Sequence, residues 1–186
     1  MTEPTSSHAT TPAPKAAKTV TVGITAIERV DSPWFDYSMV ANYHQKGGKQ
    51  DHNTLVFDSG AGDFDIDFVL RDVPPGLMFR PTFAQAFGIA PGTTCPAIGA
   101  SAAGFSGRVS NDRTTLFLNN KNDKASAGLY QFALCFDGPD RDQTHPPFVW
   151  DPKILNGGGG SFSDAFKIGI AVAAVAIGAA LFVAFR

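Results

Sequence analysis

The sequence DFDIDFVL at residues 63–70 alternates acidic and apolar side chains over its first six positions. The apolar positions are Phe64, Ile66 and Phe68, and the acidic positions are Asp63, Asp65 and Asp67. Successive side chains of a β-strand point to opposite faces, so this pattern predicts a strand with one buried and one solvated face. A sheet with one wet face packs its other face on a core, and the sequence therefore predicts an all-β fold.

Weaker signals of the same kind flank this strand. Val20, Val22 and Ile24 alternate with threonine and glycine, which predicts a first strand beginning near residue 19. Further short strands are predicted at residues 37–43, 54–57, 77–83, 108–109, 114–118, 129–136 and 148–153. The turns between them predict an antiparallel β-sandwich of immunoglobulin-like or Greek-key type over residues 19–156. Residues 84–107 show little alternation and are predicted to form a long loop.

The composition agrees with a fold of short strands and limits the classes of partner. The 186 residues fit one domain with appendages, and they include 16 phenylalanines, 19 glycines and 13 prolines. Aromatic residues favour strands, and glycine and proline favour turns. The net charge of −2 makes the surface unattractive to phosphate backbones, so nucleic acid is not expected as a partner.

The segments on either side of the domain differ from it in composition. Residues 1–18 consist mainly of Thr, Ser, Pro and Ala, and their lack of large apolar side chains predicts a disordered leader. No long apolar run follows a basic start, so a secretory signal is not expected. Residues 157–166 begin with four glycines, which predicts a flexible linker.

A single transmembrane helix is predicted at residues 167–186. The 18 residues 168–185 contain no charged or polar side chain. As a helix they span roughly 27 Å, close to the thickness of a thin bilayer. Lys167 and Arg186 flank this stretch, and their side chains reach the two interfaces. The alternative, a helix buried in a protein core, needs a layer of other helices that the rest of the sequence does not supply.

Small residues line one face of the predicted helix from end to end. They are Gly169, Ala173, Ala176, Ala180 and Ala184. Small residues let helices approach closely in lipid, so we expect this face to contact either a membrane-protein partner or a second copy of the chain. Insertion from the C-terminus is expected without an N-terminal signal, and it leaves the domain in the cytoplasm.

Two groups of residues imitate metal or catalytic sites. The three aspartates of residues 63–70 look like the start of a calcium loop, but Phe68 and Pro74 stand where that loop needs glycine and a carboxylate. They are interpreted as the solvated face of a strand. Cys135 and His145 do not have the spacing of a copper site, and nothing near Cys135 in the sequence would activate a thiolate.

A third group, His44 and His52 with Asp51, flanks a turn and is interpreted as incidental. The sequence contains no G-x-S-x-G, no phosphate-binding glycine loop and no H-E-x-x-H. We therefore predict no catalytic residue, no cofactor and no metal ligand.

The predicted strand at residues 129–136 also predicts the position of a cysteine. Its large apolar positions are Tyr130, Phe132, Leu134 and Phe136. If these face the core, Cys135 faces away from it, and we expect its thiol to react in the folded domain. Cys95 lies in the irregular segment, so a disulfide between the two cysteines is not expected.

The sequence FVWDPKILNG at residues 148–157 resembles the closing strand of the DP-EP family of small bacterial proteins. The shared pattern Asp-Pro-x-Ile-x-Asn corresponds to Asp151, Pro152, Ile154 and Asn156. Features that precede it in the same order lie at residues 73–76, 114–120 and 130–136, so the resemblance spans about residues 19–157. A similar ending occurs in inclusion-body proteins of the PixA/AidA type, which is the second resemblance.

The DP-EP resemblance implies a small β-sandwich and no catalytic residues, because that family has no established activity. Pro152 has no N–H group, so it belongs at an edge or at the start of a strand, and the motif is interpreted as structural. The linker and the predicted membrane helix depart from the family pattern, which argues against a freely soluble role.

The expected function is that of a non-enzymatic interaction or structural module, tethered to a membrane in a bacterial envelope. Two alternatives are a sandwich that binds a small ligand and an unrecognised hydrolase. An enzyme should show a cleft with converging polar groups, whereas an interaction module should show an exposed apolar patch or edge strand.

Overall fold

A computed structural model of the chain describes residues 16–29, 35–138 and 148–157, and these form a mainly β structure. Its elements in chain order are β1 Lys18–Glu28, β2 Phe35–Tyr43, β3 Gly48–Asp51, β4 Thr54–Phe57, β5 Phe64–Leu70, β6 Met78–Phe79, α1 Phe83–Ala86, β7 Phe87–Pro91, β8 Phe105–Val109, β9 Thr115–Asn120, β10 Gly128–Asp137, β11 Phe148–Trp150 and β12 Lys153–Asn156. The prediction of a mainly β fold is confirmed.

The strands form two sheets. The five-stranded sheet has the order β2-β1-β5-β9-β8, and the seven-stranded sheet has the order β11-β10-β12-β4-β3 with β6 and β7 also paired to β10. In the seven-stranded sheet, β10 has β12 and β11 along one edge and β7 and β6 along the other. β10 is therefore an interior strand along its whole length.

The prediction of purely antiparallel pairing is wrong, because both sheets are mixed. β1 pairs in parallel with β5, and β4 pairs in parallel with β12. The alternation of apolar and polar residues has a period of two in either orientation, so it carries no information about strand direction.

The core lies between the two sheets and is rich in phenylalanine. The rings of Phe57 and Phe64, one from each sheet, have centroids 4.4 Å apart. Phe68 of β5 and Phe132 of β10 meet in the same way at 5.4 Å. All four side chains are fully buried, and each contributes about 1.5–3 kcal/mol by leaving water. The apolar face predicted for residues 63–70 is this core face.

Two predicted element boundaries are wrong in the middle of the chain. Residues 84–107 are not a single loop, because they contain most of α1, all of β7 and the start of β8. The strand predicted at residues 77–83 is reduced to β6. Both errors arise because β6 and β7 are held by pairing with β10, and that long-range contact leaves little local signal.

The predicted appendages lie outside the described residues. These are most of the leader at residues 1–18, most of the linker at residues 157–166 and the helix at residues 167–186 with its small face. Within the described part of the chain, no helix has the length and hydrophobicity needed to cross a membrane.

Candidate functional site

The motif residue Asn156 joins the two sheets at one end of the core. Its side-chain amide forms two reciprocal hydrogen bonds of 2.8 Å with the amide of Asn120, which ends β9 in the opposite sheet. Asn156 also donates to the Ser126 carbonyl oxygen at 2.9 Å. Both asparagines are buried, and each amide has its partners within the domain. The geometry supports the interpretation of this part of the motif as structural.

The Asp151-Pro152 step interrupts the last strand without ending its pairing with β10. Gln131 of β10 donates through Nε2 to the Asp151 carbonyl oxygen at 2.5 Å. The Phe132 N–H donates to the Pro152 carbonyl oxygen at 3.0 Å. Pro152 and the motif residue Ile154 are buried. The motif therefore holds the chain against β10 while proline, which has no N–H group, separates β11 from β12.

An ion pair joins the sheets at the opposite end of β9. Arg113, in the turn before β9, donates through Nη2 to the Asp137 carboxylate and through Nε to the Phe79 carbonyl oxygen. Arg80 lies 3.5 Å from the same carboxylate. Arg113 also has a positive φ of 61°, a conformation that few non-glycine residues adopt. These contacts close the end of the sandwich and form a structural cluster.

Cys135 faces away from the core as predicted, but the outer face of β10 is covered, so the expectation of an accessible, reactive thiol is wrong. Phe132 is buried as predicted, but Cys135 and Ala133 on the opposite face are also 0% exposed. Gly88 of β7 pairs with Ala133, and a Cβ atom at Gly88 would lie 2.3 Å from the Ala97 carbonyl oxygen. The segment around Ala97 therefore crosses this face, and the chain itself provides the cover.

Both cysteines are free; Cys135 is buried and Cys95 is exposed. Burial raises the pKa of the Cys135 thiol to about 11. The pKa of the Cys95 thiol, which is exposed, is also raised, first by partial burial and then by the nearby Asp151 carboxylate. A thiolate is the reactive form of cysteine, so neither environment activates the side chain.

The outer face of the five-stranded sheet is open and contains a shallow groove of about 830 Å³. Residues of β1, of β2 and the position after it, and of the end of β5 and the two positions after it form the groove. They are Thr21, Gly23, Thr25, Val40, Asn42, His44, Leu70, Arg71 and Asp72. The Thr21 hydroxyl and His44 Nε2 are 2.9 Å apart, and the Thr25 and Ser38 hydroxyls are 2.6 Å apart. This groove is the candidate functional site.

The electrostatics around the groove are mixed. Asp67 pairs with Thr21 across the parallel ladder, so it stands beside the groove. Partial burial and then the Asp65 carboxylate raise the pKa of Asp67, while Arg108 and His44 oppose that rise. Arg71 and Asp72 in the lining bear opposite charges. The site therefore has no strong net preference for anions or for cations.

The predicted metal candidates do not come together. Asp63 and Asp65 are exposed and Asp67 is half-buried, as expected for a solvated strand face. His52 contacts Asp51 at 2.9 Å, whereas His44 contacts Thr21 in the groove. Within residues 16–29, 35–138 and 148–157, no group of three His, Cys, Asp or Glu side chains is placed to hold a metal ion.

The sequence reasoning did not identify the groove residues as a site. Thr21, Asn42 and Arg71 were assigned no role, and His44 was considered only with His52. The available signal was the run of threonine and glycine between the apolar positions of β1, which marks an outer face without bulky side chains. The convergence of three separate segments on that face was not visible in the sequence.

Comparisons with solved structures find distant structural similarity. Neither a protein-family model nor a curated protein matches the sequence. The chain is similar to the crystal structure of the inclusion body protein PixA from Burkholderia cenocepacia J2315, with 13% identity and a TM-score of 0.38. The match covers 78% of this chain and 99% of that chain. PixA is also the second family that the sequence resembles. No family model supports the first resemblance, to the DP-EP family. The chain is therefore assigned to neither family.

Proposed function

We propose that this chain is a non-enzymatic interaction or structural module of a bacterial envelope, tethered to a membrane by its C-terminal helix. One observation carries the proposal: the uncharged apolar run at residues 168–185 follows the last strand, Lys153–Asn156, after a glycine-rich linker. We further propose that residues 19–156 form an immunoglobulin-like sandwich and that this domain lies on the cytoplasmic side. The bilayer is then the first partner of the chain.

The open outer face of the five-stranded sheet supports an interaction role. Val40 on the edge strand β2 and Ile27 near the end of β1 are 71% and 68% exposed, so this side of the domain presents two large apolar side chains to solvent. The outer face of β10, by contrast, is buried under the chain itself. A partner of the domain therefore has an accessible surface on the five-stranded sheet.

The polar groups of the domain favour binding over catalysis. The Thr21 hydroxyl and His44 Nε2 are at the distance of a nucleophile and its base. The contacts described for His44 include no third group that fixes its ring, and a catalytic pair needs one. This pair is the observation that keeps an unrecognised hydrolase as the last alternative.

The helix is proposed to have a second contact besides lipid. Its small face, with Gly169, Ala173, Ala176, Ala180 and Ala184, would pack against a membrane-protein partner or a second copy of the chain. Crosslinking of the full chain in native membranes, with and without Ala176→Leu and Ala180→Leu, tests this contact. A crosslinked species that is lost in the double variant is the expected result.

The membrane tether is tested by fractionating cells that express the full chain. We expect the chain to sediment with membranes and to resist carbonate extraction, whereas a chain ending at Asn156 stays in the supernatant. The double variant Val175→Asp, Ile177→Asp should also leave the membrane, because two carboxylates at the centre of the helix oppose insertion. The matched control Val175→Leu, Ile177→Leu should remain. Recovery of the intact chain in the supernatant would reject the proposal.

A second candidate function, the binding of a small ligand, is favoured by the groove itself. Its lining presents hydroxyl, amide, imidazole and guanidinium groups on one rigid sheet face. This candidate does not require the membrane helix, so the two proposals are tested separately.

A further inference from the structure

Four of the nine residues that line the groove carry uncharged hydrogen-bonding side chains. Thr21 and Thr25 supply hydroxyls, Asn42 an amide and His44 an imidazole. They lie on β1 and at the end of β2, whose backbones are fixed by antiparallel pairing from Val20↔Tyr43 to Glu28↔Phe35. Hydroxyl and amide groups both donate and accept hydrogen bonds, so the surface suits a ligand that does the same.

The charges of the groove disfavour an ionic ligand. Arg71 and Asp72 both belong to the lining and offset each other. Asp67, beside Thr21, adds a carboxylate that would repel a phosphate or a carboxylate ligand. A metal ion is not favoured either, because the described residues contain no cluster of three metal-binding side chains. The remaining class is a neutral polar ligand.

The apolar part of the lining is too small for a lipid and has no aromatic ring among the described residues. Only Val40 presents a large apolar side chain on the outer face, because Leu70 packs against the core. An acyl chain needs a longer apolar surface, and a nucleobase is normally held by stacking on a ring. The exposed Val40 side chain is placed to contact the C–H groups of a sugar ring.

Gly23 lies beneath the Arg71 side chain in the groove. It is at the centre of the lining, between Thr21 and Thr25 on the same face of β1. A Cβ atom there would lie 3.3 Å from Cγ of Arg71, so the Arg71 side chain occupies the space above this position. A ligand that reaches the strand backbone here displaces the flexible Arg71 side chain, and a larger residue in place of Gly23 would prevent that approach.

We propose that the groove on the outer face of the five-stranded sheet binds a neutral carbohydrate. Thr21, Asn42 and Arg71 hydrogen-bond its hydroxyl groups, Val40 contacts its C–H face, and the flexible Arg71 side chain moves off Gly23 to admit the sugar ring. The proposal rests on the second candidate function, ligand binding, and names the class of ligand.

The test is ligand-observed NMR on the full chain in a detergent without a sugar headgroup, because a glycosidic detergent would compete for the groove. The probes are maltotriose, cellotriose and fully N-acetylated chitotriose, with methyl phosphate and trigalacturonate as anionic comparisons. We expect saturation transfer from the protein to at least one neutral trisaccharide and none to either anion. Transfer to the anions alone, or to no saccharide at millimolar concentration, overturns the proposal.

Three variants locate the binding site. Gly23→Val places a branched side chain against Arg71 at the centre of the groove and should weaken binding at least about tenfold. Asn42→Leu removes an exposed amide and should weaken binding by a similar factor. Ser106→Val, on the exposed part of β8 at the far edge of the same sheet, should bind as the wild type does. Far-ultraviolet circular dichroism checks folding, and Asn42→Leu decides the outcome if Gly23→Val does not fold. If Asn42→Leu binds the sugar with wild-type affinity, the groove is not the binding site.

The outcome is independent of the membrane proposal. If no sugar binds while the chain still resists carbonate extraction, the carbohydrate inference fails and the membrane module stands. If sugar binds while the chain is recovered in the supernatant, the reverse holds.

Discussion

The outer faces of β5 and β10 differ although both strands bring phenylalanine to the same core. On β5, Asp65 is exposed and Asp67 half-buried, so this face meets water. On β10, Gln131, Ala133 and Cys135 occupy the equivalent positions, and all three are buried. Alternation along a strand identifies the inner face, but the other face is wet only if no other part of the chain covers it.

The chemistry of the outer residues agrees with this difference. Two carboxylates on β5 would be costly to bury without partners, so no segment crosses them. The outer residues of β10 carry no charge, and the amide of Gln131 is satisfied in part by Asp151. A strand whose outer positions are small or uncharged is therefore compatible with burial on both faces, as in interior strands generally.

The largest expected effect is the difference in unfolding free energy between a core substitution and an outer-face substitution. Phe132→Ala should cost about 3–5 kcal/mol, because it removes a ring packed 5.4 Å from Phe68 and 5.8 Å from Phe87 and leaves a cavity. Phe117→Ala, on the outer face of β9, should cost only about 1 kcal/mol through its contact with the Arg108 guanidinium. Urea unfolding of the full chain measures both. Equal costs would contradict the assignment of faces.

A matched pair of glycines compares the two outer faces directly. Gly88→Ala should cost about 1–3 kcal/mol, because its Cβ would meet the Ala97 backbone carbonyl at 2.3 Å. Gly23→Ala on the open face should change stability by less than about 1 kcal/mol, because only the flexible Arg71 side chain has to move. Thermal unfolding of both variants measures the two losses of stability. A larger loss of stability for Gly23→Ala would contradict the assignment of β10, and not β1, as the strand whose outer face is covered.

The reactivity of the two cysteines tests whether the outer face of β10 is covered, and the native chain can be used unchanged. We expect one thiol of the native chain to react with a thiol reagent at pH 8 and two after unfolding. The slow thiol is Cys135, which is buried with a pKa raised to about 11, while Cys95 is exposed. Cys95→Ser should abolish the native reaction. Fast labelling of Cys135 in that variant would show that the outer face of β10 is open.

The smallest expected effect is a pH dependence on the open face. Burial raises the pKa of Asp67 above its usual value, so the folded state binds this proton more tightly than the unfolded state does. The resulting penalty is fully present above the raised pKa and disappears below the ordinary pKa of an aspartate. Asp67→Asn should therefore stabilise the domain at pH 7 by at most about 0.5 kcal/mol and lose that advantage at pH 3. Melting temperatures at the two pH values measure this, and a variant less stable than the wild type at pH 7 contradicts it.

The position of the motif was readable from the sequence, but its contacts were not. Pro152 has no N–H group, and that local property places it at an edge or at the start of a strand. The single strand predicted at residues 148–153 is divided there into β11 and β12. Nothing local predicts that Asn156 meets Asn120, because the two residues come from different sheets and approach only when the sandwich closes. The same limit applies to the groove, whose residues come from β1, β2 and the segment after β5.

The sequence by itself determined which side chains of β5 and β10 face the core, because the period of two along 63–70 and 129–136 is a local property of the strand. Only the tertiary structure decided that β1 pairs in parallel with β5, that the segment around Ala97 covers β10, and that Gly23 lies under Arg71 in an open groove. Each of these depends on contacts between residues far apart in the chain. The free energy of such contacts is set by the packing of the whole domain, and local residue patterns carry no record of it.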